Sequence, residues 1–321
     1  MSNKRPQHLP FCDYPSAKDI DLHGVQLLPD ELPIVDLKTV QRYRSNQYDV
    51  VGANILDPSQ ILQLVREMAL SFSKRSPLAR HIMPPKYPPN GLQDAEHTDE
   101  FGTDKFGEWA SANIIYWLFR LFILTDPTSP SSAIETRKDV LEHSLAILDD
   151  NGQVIAGALR ETRLPADGSS EFRQNDIYLK AILSFIGPLL KILANQAHLA
   201  ISALVDKYPA FRDAYYRGKV GNASQVARTD AFPKGHIFEL VAATIEHFQA
   251  DDYQFLVTQG ANQWTGAAYE ALNGVRVHFH PYQVEKTFPE SLEPVEGMTT
   301  SPNGFISDKD SGSMFYIVRL K

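Results

Sequence analysis

Apolar and polar positions change period several times along the chain, and each change marks an element. In PSQILQLVREMALSFSKRSP, Ile61, Leu62, Val65, Met68, Ala69 and Phe72 recur at helical spacing behind Pro58, which predicts an amphipathic helix over 58–73. The run EHSLAILDDNGQVIAGALRETRL holds two β-rich segments, 144–148 and 154–162, joined by Asp150, Asn151 and Gly152. An Asn-Gly step readily enters the positive-φ region of a tight hairpin, so this is the clearest local signal in the chain. Residues 177–217 read as mainly helical, with breaks at Gly187-Pro188 and at Lys207-Tyr208-Pro209.

After that the pattern turns to compact α/β order. Strands are predicted near 224–229, 253–258 and 275–280, helices over 235–248 and 264–272, and a closing strand at 313–320 (SMFYIVRL). Upstream, KTVQRYRSNQYDVV at 38–51 is expected to supply an opening strand, although its alternation is imperfect. Residues 105–124 are apolar almost all round, as in a helix packed on several sides. The first 35 residues, rich in Pro and polar groups, read as an arm, and 77–102 as a long loop. The resulting organisation is an arm at 1–35 and a single domain over 36–321, with a helical insertion at about 165–220.

Composition narrows the function classes. With 321 residues, 43% of them hydrophobic and 22% charged, the chain has enough apolar material for a sizeable core. A formal charge of -8 argues against nucleic acid as a partner. Cys12 is the only cysteine, which excludes an intramolecular disulfide framework and favours a reducing compartment. The opening residues have no apolar run, so a cytoplasmic protein without a signal peptide is expected. Arg120 interrupts the apolar stretch 114–124, and Lys191, Asn195, Gln196 and His198 interrupt 181–205, so no membrane partner is expected. His81, Glu96, His97, Asp99 and Glu100 cluster in the long loop without a fixed-face spacing, and no metal is expected there. His278 and His280 fall on one face of a strand, where packing accounts for them.

The segment QVARTDAFPKGHIFELVAATIEHF has the grammar of a phosphate-binding strand, loop and helix. The strand delivers the chain into a turn, and the helix then starts with unpaired N–H groups and the positive end of its dipole facing that turn. Gly235 permits close approach of a ligand, and Lys234 offers a charge for phosphate. Pro-Lys-Gly is also ordinary helix capping, so this segment does not decide the matter alone.

The flanking segments are more specific. The hairpin LAILDDNGQVIAGALRE, the strand-loop-helix just described, and YQFLVTQGANQWTGAAYEALNGVRVHFHPY together resemble the GNAT superfamily of N-acetyltransferases, most clearly over about 145–285. The resemblance implies an α/β (α+β) fold, with a mixed, mostly antiparallel central sheet of the acyl-CoA N-acyltransferase type, flanking helices and a large helical insertion. It implies acetyl-CoA or another short acyl-CoA as cosubstrate and a primary amine of a small molecule as acceptor. Ala227, Arg228, Thr229, Phe232, Lys234, Gly235, His236 and Asn262 match cofactor-binding positions, with backbone amides around 227–229 polarising the thioester carbonyl. Tyr269 matches the tyrosine that protonates the departing thiolate, although in AAYEAL alone it reads as a packing residue. Glu161, at the end of the hairpin, is the candidate base, with His81, Glu96 and His97 as further substrate-side groups.

The match departs from the family at two places in the phosphate loop. Asp230 stands where a polar or basic residue opens it, and Pro233 stands at the first Gly position and removes an N–H. A catalytically silent acyl-CoA-binding or sensing module therefore stays open, as does a protein N-acetyltransferase that docks its partner on 77–102 and 177–217. A homo-oligomer is equally open.

Overall fold

The computed structural model describes residues 26–43, 48–75, 115–116, 118–120, 123–126, 133–160, 193, 195–229, 231–232, 237–260, 263–281 and 312–321. Among these residues seven strands form one sheet: β1 Asp49–Gly52, β2 Leu145–Leu148, β3 Val154–Arg160, β4 Val220–Arg228, β5 Phe255–Gly260, β6 Val275–Pro281 and β7 Gly312–Arg319. Their order is β1-β2-β3-β4-β5-β7-β6. All neighbours are antiparallel except β4 and β5, which run parallel. The sheet is accompanied by helices α1 Leu37–Tyr43, α2 Pro58–Arg75, α3 Lys138–Leu141, α4 Pro209–Tyr216, α5 Ile237–Ala250 and α6 Gln263–Ala271. A further helical run occupies 195–207.

The hairpin forms as its turn chemistry dictates. Gly152 takes φ 74°, and the Asp149 carboxylate accepts from the amides of Asn151 and Gln153, which locks the reversal between β2 and β3. Helix α2 opens with a reciprocal cap. Asp57 Oδ1 accepts from the amides of Ser59 and Gln60 while Gln60 Oε1 accepts from the Asp57 amide. These bonds hold the Asp57 carboxyl below its ordinary range, the Ser59 side chain first among them. Gln60 also donates to Gly152 O and Gln63 accepts from the Val154 amide, so α2 is stitched to the hairpin turn.

Period-two alternation divides the sheet into two faces. On one face Leu256, Met314, Tyr316 and Val318 pack under Val40 of α1, Val241, Ile245 and Phe248 of α5, and Ala268, Tyr269 and Leu272 of α6 and its end. On the other, Phe255, Val257, Phe315 and Ile317 meet Ala200, Ile201, Leu204, Phe211 and Ala214 from 195–207 and α4. Helix α4 begins at Pro209 directly after the break at Tyr208, where sequence places it. Leu28 and Leu32 join the same layer, and Val35 the opposite one. The amides of Gln26 and Val35 donate to Val277 O and Arg319 O. Residues 26–35 are thus an irregular segment bonded onto the sheet.

Two expectations need correction. The opening strand expected over 38–51 is only Asp49–Gly52, because Leu37–Tyr43 is a helix whose Val40 is buried against α5. The fourth strand begins at Val220, before the expected 224. Gly221 and Asn222 weaken its propensity, but a Cβ on Gly221 would stand 2.3 Å from the Phe248 ring, so the residue is small to admit α5. The helix expected over 105–124 lies mostly outside the described residues. Of those described, Ile115, Phe119 and Ile123 are buried, and buried Arg120 donates to the Tyr116 hydroxyl. Among the described residues no helix is long and apolar enough to cross a membrane.

If the layer over 195–216 is part of the core, Phe211→Ala should destabilise the protein by about 3–5 kcal/mol, since Phe211 is fully buried edge-on against Phe255. Urea unfolding measures this. A loss under about 1 kcal/mol would mean that the layer is a detachable cover.

Candidate active site

Parallel pairing between β4 and β5 runs through Val220↔Phe255, Gly221↔Leu256, Asn222↔Val257 and Ala223↔Thr258, and goes no further. Both strands continue. β4 stays bonded to β3 as far as Arg228, and β5 stays bonded to β7 as far as Gly260. The two strands therefore part beyond Ala223 and Thr258 while each is held by its outer neighbour.

A local irregularity accompanies the fork. Leu159 pairs with Gln225 and Arg160 with Ala223, so Ser224 is an extra residue in β4 relative to β3. Such a bulge bends the strand that carries it and raises its local twist. Here it falls at the first residue of β4 beyond the end of pairing. At the vertex, the Thr258 hydroxyl donates to Ala223 O and closes the two strands together.

Alternation determines which amides face the opening. The Thr229 amide donates to Ile155 O on β3 at 2.8 Å, so the Ala227 amide also faces β3. The Arg228 amide points the other way and donates to Ser71 Oγ of α2 at 3.3 Å. Of the amides that sequence places around 227–229, two are thus engaged and the third faces β3. Val226, one residue earlier, directs its N–H into the fork, where β5 no longer pairs.

The loop after β4 is braced from within. Arg228 Nη1 donates to Phe232 O at 2.8 Å, and the Ala231 amide donates to Thr229 Oγ1 at 3.1 Å. The Phe232 side chain is fully buried with Ile147, Ile155, Ala156, Ala158 and Leu240, and its ring lies 5.3 Å from that of Tyr48. Arg228 and Phe232 therefore shape the loop. Leu64, Glu67 and Met68 of α2 pack against Gly157, Ala227, Arg228 and Thr229 and line a crevice with no room for a water molecule. Glu67, which sequence did not single out, is the carboxylate in that lining. Glu161, Lys234, Gly235, His236 and Asn262 lie outside the described residues, as do His81, Glu96 and His97. Arg160, the residue before Glu161, pairs with Ala223 at the vertex.

Tyr269 comes to the same place from α6. It is completely buried, its ring stacks on Tyr316 at 6.1 Å, and among the described residues its hydroxyl makes no hydrogen bond of good geometry. Burial pushes the phenol up to about 12, with a small opposing effect from the nearby Thr258 hydroxyl, whose own proton is committed to Ala223 O. Tyr316 is pushed up as well, by burial and by the Glu270 carboxylate to which it donates at 3.0 Å. Gly266 lets α6 approach this pair, because a Cβ there would stand 2.5 Å from the Tyr316 hydroxyl. The site thus joins a forked parallel pair, a bulge, and a protonated, unpartnered phenol beside the vertex.

A mixed, mostly antiparallel central sheet with flanking helices is the architecture that the resemblance implied. This mixed α/β fold is consistent with the acyl-CoA N-acyltransferase type. No family model and no curated protein matches the chain. Solved structures with a similar course include arylalkylamine N-acetyltransferase 2 from Aedes aegypti, at 10% identity and TM-score 0.43 over 86% of this chain and 100% of that one. Another is the Drosophila melanogaster polyamine N-acetyltransferase, at 10% identity and TM-score 0.44 over 85% and 100%. An agmatine N-acetyltransferase in its apo form aligns at 10% identity and TM-score 0.45, over 86% and 100%.

A tyrosine that ionises near 10 when unfolded and near 12 when folded retains its proton more firmly in the native state, so stability falls as pH rises from about 10 to 12. Tyr269→Phe should therefore lose less stability over that interval than the native chain does, as read from urea midpoints at about pH 9 and pH 11. Equal losses would mean that the phenol ionises normally.

Proposed function

We propose that this chain is an acyl-CoA-dependent N-acyltransferase that moves an acetyl or short acyl group to a primary amine of a small molecule by direct attack in a ternary complex. The observation that carries this reading is the fork at Ala223 and Thr258 with the buried Tyr269 hydroxyl beside it. Strand edges that part within a sheet leave backbone groups in need of partners, and an extended amide-bearing arm such as pantetheine supplies them. The phosphate end of the same cosubstrate would lie toward the loop after β4 and the start of α5, where sequence puts Lys234, Gly235 and His236.

In this reading the neutral amine attacks the thioester carbonyl, a C–N bond forms, and the C–S bond breaks. The Val226 amide would polarise the carbonyl oxygen as negative charge gathers there. The amine's proton passes to a carboxylate, Glu161 or, from the α2 side, Glu67. Tyr269 gives its proton to the departing thiolate. A phenol near 12 is fully protonated at neutral pH, and the burial that raises it also raises the basicity of a thiolate formed in the same dry site.

A second reading has support of its own. Asp230 and Pro233 replace expected phosphate-loop residues, and Glu239 is a buried carboxylate in the first turn of α5, where it already answers the helix dipole. Such a module would bind the cosubstrate without turning it over.

Free-thiol release from acetyl-CoA across a panel of small primary amines separates the two. Tyr269→Phe should keep cosubstrate binding and lower kcat by roughly 100-fold or more, the usual scale for losing a general acid. An unchanged rate removes Tyr269 from the acid role, and binding without thiol release in the native chain favours the silent module. Gly235→Asp should weaken acetyl-CoA binding by adding bulk and negative charge at the helix start, and unaltered affinity would displace the diphosphate from that position.

A further inference from the structure

Away from the fork, at the C-terminal end of α5, His143, His247 and Asp251 converge. His143 follows α3, His247 lies in the last turn of α5, and Asp251 stands one residue beyond it. One donor atom from each lies within 4.8 Å of the other two. His143 Nδ1 is 2.5 Å from Asp251 Oδ2, and His247 Nε2 is 3.7 Å from the same oxygen. We infer that these three side chains form a site for one divalent transition-metal ion, best suited to zinc, with a fourth position open to water.

Ligand chemistry supports zinc. Two imidazoles and one carboxylate are the donor types of open tetrahedral zinc sites, and metal–ligand bonds of about 2.0–2.2 Å set tetrahedral donors roughly 3.3 Å apart. The observed separations lie on either side of that spacing, so small side-chain rotations suffice. The two rings are also held in place. His143 stacks on Phe248 and meets Tyr253 edge-on, while the His247 ring donates to the Glu142 carbonyl. A backbone carbonyl on the outer ring nitrogen is the usual device for orienting a metal-binding histidine. It leaves His247 Nε2, a buried atom with no hydrogen-bond partner, turned toward Asp251.

Charge around the site favours an ion as well. Lys219 and Lys321, cations bonded to the adjacent residue, are both engaged by Asp252, at 3.0 and 2.6 Å. Asp251 is thereby left to the histidines. Its side chain is one-third exposed, which gives a hydrated ion a way in. Helix α5 spans about 20 Å between this end and the fork, at roughly 1.5 Å per residue, so the ion would take no part in acyl transfer. Its effect is structural: it ties the segment entering β2 to the segment entering β5.

Full-length protein stripped with a chelator and titrated with Co²⁺ tests this directly. One equivalent should bind with the visible absorption of a four-coordinate ion, Zn²⁺ should displace it, and Zn²⁺ should raise the thermal midpoint. His247→Ala and, separately, Asp251→Asn should weaken uptake by more than roughly 100-fold with unchanged circular dichroism, since even outer-shell losses cost about 10- to 100-fold. No stoichiometric uptake overturns the inference, because the cluster is then only a hydrogen-bonded clasp. Uptake that persists in both variants overturns it too, by placing the ion elsewhere. Neither outcome bears on thiol release, so the metal site and the acyltransferase reading fail independently.

Discussion

The interruption of hydrogen bonding between β4 and β5 is the constraint around which the molecule is arranged. Backbone N–H and C=O groups inside a sheet are costly to leave unmatched, so two adjacent strands separate only where other contacts hold each of them. Here β3 grips β4 through Arg228 and β7 grips β5 through Gly260, so the outer ladders persist where the inner one stops. The extra residue Ser224 bends β4 away at that position, and the Thr258 hydroxyl ties the strands together immediately before it. The divergence of the two strands is thus held from three sides.

The two faces of the sheet then divide the work. The layer made by 195–207 and α4 covers Phe255, Val257, Phe315 and Ile317 with aliphatic and aromatic side chains and fixes the strands that flank the fork on the β5 side. The opposite layer carries the polar features. There α6 delivers Tyr269, and α5 runs from the loop after β4 to the histidine and aspartate cluster at its far end. Gly221 and Gly266 permit that layer to sit close, one beneath Phe248 and the other against Tyr316. Close approach matters because a phenol beside Thr258 is dry only if no gap admits water.

Local chemistry explains which parts were legible in the sequence. The hairpin, α2 and β7 each carry their own signal in a turn step, a cap or an apolar run, and they form close to where those signals lie. Tertiary contacts overrode local preference elsewhere. Leu37–Tyr43 holds aromatic and β-branched residues that suggest a strand, yet Val40 is buried in a helix against α5. The stretch 220–223 contains Gly and Asn and lies before the strand expected at 224–229, yet it is the paired half of β4. At the candidate site, Tyr269 was expected from the resemblance alone. The bulge at Ser224 and the Val226 amide were not, since both depend on register between strands that are distant in sequence. The histidine cluster was hidden for the same reason, having one member before β2 and two around the end of α5.

The ring and the hydroxyl of Tyr269 have different explanations. Stacking on Tyr316 and packing with Leu272 and Ala268 account for a large aromatic side chain at this position, and phenylalanine would satisfy them equally. The hydroxyl gains nothing from that packing. A buried polar group without a partner costs about 1–3 kcal/mol, and here it is pressed against a threonine whose proton is already committed to Ala223 O. A local penalty of that kind persists in a folded protein where the atom finds its partner in another state of the system, and the fork beside it supplies the place for one. In the proposed reading the buried phenol and the parted strands account for each other: each leaves a polar demand unmet, and one extended ligand with a basic leaving atom at its tip would meet both.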